Sequence, residues 1–279
     1  MEEIKKILLS EVNELYKNRH SKYKNKYSYE YYINMILLLL KDVNNWSFLK
    51  NISGYGNNNI NVPKYHYVTI KNKFNEWSKK GVFEKAFKKY KNIENNSNLL
   101  YIDATSIYNF KGSENVVVNP ENKKKKITKL SIICTKNKFI TSIEPFNNNQ
   151  TLNNGNKTAV HDVKMIKKTL ENVNNINNKS KNYYLIGDKA YKNKEKNILQ
   201  NKPIVIITPD KKNTKFKNKN TKFQNNKLKK RINIEHCNLN LKRYERIMLR
   251  KEKKIKTFLS WVYIAALINN VRVNKKNLP

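Results

Sequence analysis

The sequence predicts an α/β fold, a mixed sheet flanked by helices and preceded by a small all-α domain. Three observations predict it. Apolar residues in roughly the first 92 positions recur at helical spacing. A polar stretch, Asn92-Ile93-Glu94-Asn95-Asn96-Ser97-Asn98, then breaks the pattern. Beyond it, hairpin-connected strand-like runs give way to alternating strand and helix, the order of a mixed sheet covered by helices.

In the first region Ile4, Leu8, Val12 and Leu15 mark one helix, and Tyr31–Lys41 forms a second, strongly apolar one. Ser53-Gly54-Tyr55-Gly56 and the Asn run after it read as a loop. A third pattern from Tyr67 to Tyr90 carries Phe74, Trp77, Val82, Phe83 and Phe87, interrupted near Gly81. Short helices with a basic surface suit a helix-turn-helix-like DNA module, and equally an ordinary helical packing domain. The predicted domains are 1–92 and 99–272. In the second, Leu99–Asp103, Lys129–Thr135 and Lys138–Ile143 read as strands, the last two joined by a tight Lys136-Asn137 turn. His161–Leu170 carries Val163, Ile166 and Leu170 at helical spacing. Tyr183–Gly187 then reads as a buried strand, Lys189–Leu199 as a helix and Pro203–Thr208 as a strand. A basic, Asn-rich loop is predicted at 211–227, with helices at 228–250 and 255–272. This order fits a ribonuclease H-like layout, and no internal repeat is evident.

The 279 residues can bury a sizeable core, and 38% hydrophobic residues with 17 Tyr, 10 Phe and 3 Trp exclude a wholly disordered chain. A formal net charge of +37 repels itself unless a polyanion is present, and nucleic acid is the commonest such partner. An A/T-rich code accounts for part of the Lys, Asn, Ile and Tyr content, but not for Lys in place of Asn. Cys134 and Cys237 stand alone, without zinc spacing, which fits a reducing, intracellular compartment. Met1 to Lys6 lacks a signal-peptide pattern. Ile36–Leu40 and Phe258–Ile268 are too short to span a bilayer, so no membrane partner is expected.

Asp103 is predicted to end one apolar strand and Asp188 another, where ligand crevices form in open α/β sheets. One such Asp is more often a turn former or helix cap; two at equivalent ends are less readily dismissed. Glu235 lies on a helix with Arg231 four residues back and Lys242 seven ahead, which at about 100° per residue puts all three on one face. Ile234, Cys237, Leu241, Tyr244 and Met248 form a second stripe able to bury against the sheet. A solvated face with an i,i+4 ion pair explains the first stripe as well. Phosphodiester chemistry needs a carboxylate set of this kind: it can hold hard Mg²⁺ or Mn²⁺ with open positions for water and phosphate. Two such ions roughly 3.5–4 Å apart stabilise both the attacking and the leaving oxygen. Arg231 and Lys242 are then placed to grip neighbouring phosphates.

These residues resemble those of the DDE insertion-sequence transposases, in their four/five superfamily, across nearly the whole chain. The N-terminal elements are Trp46-Ser47-Phe48-Leu49 and Phe74-Asn75-Glu76-Trp77-Ser78-Lys79-Lys80-Gly81-Val82-Phe83. The first catalytic block is similar to Ile102-Asp103-Ala104-Thr105, followed by Asn119-Pro120 and a basic run into Thr128-Lys129-Leu130. Then come His161-Asp162, Gly187-Asp188-Lys189-Ala190-Tyr191 and the Arg231, Glu235, Lys242 spacing. Leu228 stands where the family often has Tyr, and Ala104 where Ser is common.

The resemblance implies a ribonuclease H-like catalytic domain that cuts and rejoins double-stranded DNA at element ends. Water attacks first, and the released 3′-hydroxyl then attacks target DNA. Asp103, Asp188 and Glu235 would ligate two Mg²⁺ or Mn²⁺ ions, while Arg231, Lys242 and Lys189 contact phosphates. His161 and Asp162 shape the pocket or contact DNA, or simply cap the 161–171 helix. A homodimer assembled on DNA is expected, in a bacterial cytoplasm or in a nucleus or viral replication site. Two other classes remain open: a domesticated, catalytically idle DNA-binding protein, and a ribonuclease H-like nuclease without strand transfer.

Among the other residues, Lys123–Lys126 suits either a phosphate-contacting turn or a solvated loop. Phe258, Trp261, Ile264 and Leu267 form a stripe best explained by core packing, which also leads over base stacking for Trp46 and Trp77. His20, His66 and His236 show no ligand spacing.

Overall fold

The structure, a computed structural model, describes residues 1–17, 27–42, 46–50, 66–91, 98–119, 122, 125–146, 165–173, 183–191, 204–210 and 220–277. Four helices open the chain: α1 (Glu2–Tyr16), α2 (Tyr29–Asp42), α3 (His66–Lys80) and α4 (Val82–Lys91). Ile4, Leu8 and Val12 are buried on one face of α1, as their spacing predicts. Gly81, at φ 72, parts α3 from α4 by taking the left-handed conformation that a side chain resists.

The sheet follows: β1 (Leu99–Asn109), β2 (Val117–Val118), β3 (Lys126–Thr135), β4 (Ile140–Pro145), β5 (Tyr183–Ile186), β6 (Ile204–Ile207) and β7 (Leu249–Arg250). Its main order is β4-β3-β1-β5-β6, with β2 also on β3 and β7 also on β1. β3 runs antiparallel to both of its neighbours β1 and β4, whereas β5 and β6 run parallel to β1. This is the ribonuclease H-like arrangement. The remaining helices are α5 (Ile166–Glu171), α6 (Lys222–Leu228), α7 (Ile232–Lys242), the single turn α8 (Glu245–Met248) and α9 (Ile255–Asn277).

Several elements differ from expectation. β1 runs six residues past Asp103, because its second half pairs with β3 as far as Tyr108 opposite Ile127. Asp103 therefore lies within a strand, not at its end. The 211–227 loop contains α6, started by a capping box in which Thr221 and Gln224 satisfy each other's backbone N–H. The single helix expected over 228–250 breaks at Tyr244, whose ψ of 117 is extended. Met248 is consequently exposed rather than part of a buried stripe. Tertiary contacts drive that break. Arg246 is 2% exposed and lies over the rings of Trp46 and Trp261, 5.0 and 4.7 Å from their centroids. It donates to Glu252 Oε1 at 3.2 Å and to the Leu39 carbonyl at 3.3 Å. Of the helix expected over 189–199, only the 3-10 turn Lys189–Tyr191 falls within the described residues.

α9 is buried at every position from Phe258 to Val271. An apolar circumference of this kind has to be covered on all sides. Phe74 stacks on Trp261 at 4.2 Å and Phe87 on Tyr263 at 5.5 Å, so the N-terminal helices cover one side. On another side the Asn270 amide pairs with β4, its Oδ1 accepting from the Ile140 N–H and its Nδ2 donating to the Ile140 carbonyl. Trp46 and Trp77 pack among aromatic rings, as the core reading predicts. Cys134 and Cys237 are both free thiols. No helix among the described residues is long and apolar enough to cross a membrane.

The Arg246–Glu252 contact yields a prediction. Removing one partner of a buried ion pair strands the other, so Arg246→Ala should cost about 3–5 kcal/mol. Chemical denaturation read by tryptophan fluorescence checks it. Arg246→Met combined with Glu252→Leu should recover much of the loss.

Candidate functional site

The parallel pairing of β1 with β5 sets the geometry. Tyr101 lies opposite Ile186, and two residues further along each chain come Asp103 and Asp188. The chains are still close at the intermediate position, since a Cβ at Gly187 would come 3.1 Å from Ile102 Cγ2. Side-chain alternation puts Asp103 on the face of Tyr101, and Asp188 on the face of Ile186. Both of those neighbours belong to the core that α7 and α9 share, while Ile102 and Leu185 point into a separate cluster with α5. Two carboxylates thus stand at neighbouring positions on the face covered by α7.

α7 docks on that face through Ile234, Cys237 and Leu241, all buried. Its N-terminal half meets the β3–β4 turn, where Asn233 Nδ2 donates to the Lys136 carbonyl at 2.9 Å and Cys237 Sγ to that of Lys138 at 3.3 Å. Beneath it, burial pushes the Cys134 thiol up, reinforced by its hydrogen bond with Cys237. Asn238 reaches Asp103, its Nδ2 donating to Oδ2 at 2.9 Å. The other amide atom, Asn238 Oδ1, is buried without a partner among the described residues.

Glu235 lies one turn before Asn238 on the same edge, 44% exposed, and forms an ion pair with Arg231 at 2.7 Å. Lys242 lies one turn beyond. Burial lowers its pKa below the usual 10.5, and the opposing charge of Asp103 pulls the other way. Asp188 is exposed, and its Oδ1 accepts from the Lys189 N–H at 2.6 Å, so it also opens the 3-10 turn. Lys189 is exposed beside it. His161 and Asp162 lie outside the described residues, as do Lys123 and Lys124.

The structure therefore brings Asn238 and Lys242 to Asp103, with Asp188 at the end of the adjoining chain segment and Glu235 and Arg231 further along α7, engaged with each other. Among the described residues no group of three or more His, Cys, Asp or Glu stands together as a metal-holding set. The donor chemistry nonetheless fits a hard, hydrated cation: carboxylate oxygens, beside an amide oxygen without a partner among the described residues that could accept from a water of such an ion. Sequence reasoning missed Asn238. Its signal was a polar residue on the edge of a buried stripe, three positions beyond Glu235.

A family model described as "Transposase DDE domain" matches residues 95–270, which include all of these residues. Among solved structures, a cryo-EM structure of a piggyBac transposase synaptic complex with hairpin DNA is similar, with a TM-score of 0.53. At 11% identity, it covers 99% of this chain and 72% of its own. Among curated proteins none matches significantly.

Lys242 supplies a test of the site's electrostatics. A lysine whose folded pKa is depressed opposes folding below that pKa, and stability rises as pH climbs from there toward 10.5. Lys242→Met should therefore raise the melting temperature at neutral pH by on the order of 1–2 °C. It should also flatten the alkaline rise and weaken DNA binding. Thermal melts across pH, paired with DNA titrations, check all three.

Proposed function

The chain belongs to the transposase DDE-domain family, and on that premise we propose that it cuts DNA at the ends of a mobile element and joins them to a target. The observation that carries this reading is the parallel pairing of β1, which holds Asp103, with β5, whose chain runs on two residues to Asp188, with α7 bonded to Asp103 from above. Asp103, Asp188 and Glu235 would hold two Mg²⁺ or Mn²⁺ ions, which when bound stabilise charge on the attacking and leaving oxygens of an in-line displacement. Asn238 fixes the orientation of the Asp103 carboxylate. Glu235 joins the set by giving up an exposed i,i+4 ion pair worth about 0.3–0.5 kcal/mol. Arg231, so released, grips a neighbouring phosphate together with Lys242 and Lys189. His161 and Asp162 line the pocket or contact DNA.

The net charge of +37 supports double-stranded DNA as the partner, at both element ends and target. So does the hairpin DNA held by the similar piggyBac transposase structure. The assembled form is a homodimer on DNA, which makes the protein DNA-associated in its host. A second reading, a DNA-binding protein of the same fold that no longer cuts, draws on one observation. Glu235 is paired with Arg231, and the three carboxylates do not form a closed group.

Purified protein, Mg²⁺ and DNA carrying the element's terminal repeats separate these readings. Cleavage with joining supports the transposase, cleavage alone a nuclease, and binding alone the idle protein. Asp103→Ala, Asp188→Ala and Glu235→Ala should each abolish cleavage and leave DNA affinity largely intact. Parallel loss of binding would assign the three residues a structural role instead.

A further inference from the structure

A cleft of about 560 Å³ opens where β1 ends, lined by Tyr108, Phe110, Lys111, Gly112, Lys125 and Leu249, among others. Its size lies within the range of roughly 300–1,000 Å³ usual for ligand sites. Two aromatic rings face solvent there. Tyr108 is 50% exposed and Phe110 65%, the highest value for a large hydrophobic side chain among the described residues. A cation lies over each ring: Lys125 Nζ is 5.3 Å from the Tyr108 centroid, and Lys111 Nζ is 5.6 Å from that of Phe110. Among the described residues no carboxylate lines the cleft.

The rings are presented on a rigid support. Asn109 clamps the turn, its Nδ2 donating to the Gly112 carbonyl at 3.1 Å and its Oδ1 accepting from the Gly112 N–H at 3.0 Å. The Phe110 N–H donates to the Arg250 carbonyl at 2.9 Å. Below, the fully buried Arg250 guanidinium donates to the carbonyls of Glu252, Glu114 and Lys253 and to Thr128 Oγ1. A Cβ at Gly112 would overlap Asn109 Oδ1 and Arg250 Cζ. The packing thus holds Phe110 in water although nothing polar requires it there, and a preorganised apolar face of this kind is suited to a partner that covers it.

The chemistry selects the partner. Exposed flat rings, each with an ammonium group over it, match a polymer that offers flat π faces and phosphates together, which is single-stranded nucleic acid. A duplex keeps its base faces stacked inside and can engage only the cations. We propose that this cleft takes an unpaired base of a single-stranded DNA segment, stacked on Tyr108 and Phe110, with flanking phosphates on Lys111 and Lys125. The inference rests on the transposase reading for the identity of the polymer alone and needs no cleavage at Asp103.

The test uses the full chain and an oligothymidylate of about 12 nucleotides, within the usual single-strand site size, carrying one 2-aminopurine whose fluorescence is quenched by stacking. Wild type should bind and quench. Tyr108→Ala with Phe110→Ala should raise the Kd for the single strand on the order of tenfold per ring. The same variant should lose the quench and leave a duplex of equal length unaffected. Tyr108→Phe and Phe110→Trp should retain both signals. Wild-type single-strand binding by the double alanine variant overturns the proposal, as does a proportionate loss of single-strand and duplex binding. Both rings are exposed, so the melting temperature should hold; if it falls, Phe110→Leu, which keeps the apolar bulk without the ring, replaces the alanine variant and should lose the quench. Asp103→Ala should bind and quench as wild type does. Quenching without wild-type cleavage would sink the transposase reading alone, and cleavage without quenching would sink this inference alone.

Discussion

Trp261, Ile264, Ala266 and Leu267 can all be dry at once only if α9 is surrounded, and the rest of the architecture follows from surrounding it. The N-terminal helices supply one wall through Phe74, Phe87 and the Arg246-linked pair Trp46 and Trp261. The edge of the sheet supplies another through Asn270 and β4. Because one helix serves both regions, Trp46, Phe74, Trp77, Phe83 and Phe87 are committed to packing. The charge on that region's outer surface, including Lys79 and Lys80 at the end of α3, is left to meet any polyanion.

The site is a local compromise within that frame. Parallel register between β1 and β5 aligns two carboxylates, and the buried stripe of α7 brings Asn238 and Lys242 against them. Half-burying an ammonium and leaving an amide oxygen unpartnered both cost stability. Unfavourable solvation of this kind is what a binding site for ions and phosphates entails.

Much of this was legible in the chain. Helical spacing marked α1 to α4 and α9, and apolar runs marked β1, β3, β5 and β6, because each of those patterns reflects burial of a single face or of both. Glu235, Arg231 and Lys242 share an edge because α7 is regular over that span. The extension of β1 was not legible: Ala104 to Asn109 mixes small, polar, aliphatic and aromatic residues, and pairing with β3 and β7 holds it extended. The break at Tyr244 carries no glycine or proline and follows from the burial of Arg246, a long-range contact. Asn238 was hidden because an Asn on a helix is unremarkable until the strand beneath it is known.

The uninterrupted β1 has a consequence for scale. Asp103 and Tyr108 belong to one ribbon hydrogen-bonded to β3 throughout, so the five residue-to-residue steps from one to the other fix a span of roughly 17 Å at about 3.3 Å per residue. A strand that long within a sheet resists bending, and the two ends cannot drift independently. The molecule therefore carries a built-in ruler, and a polymer touching both marks has the number of its units between them set by the protein.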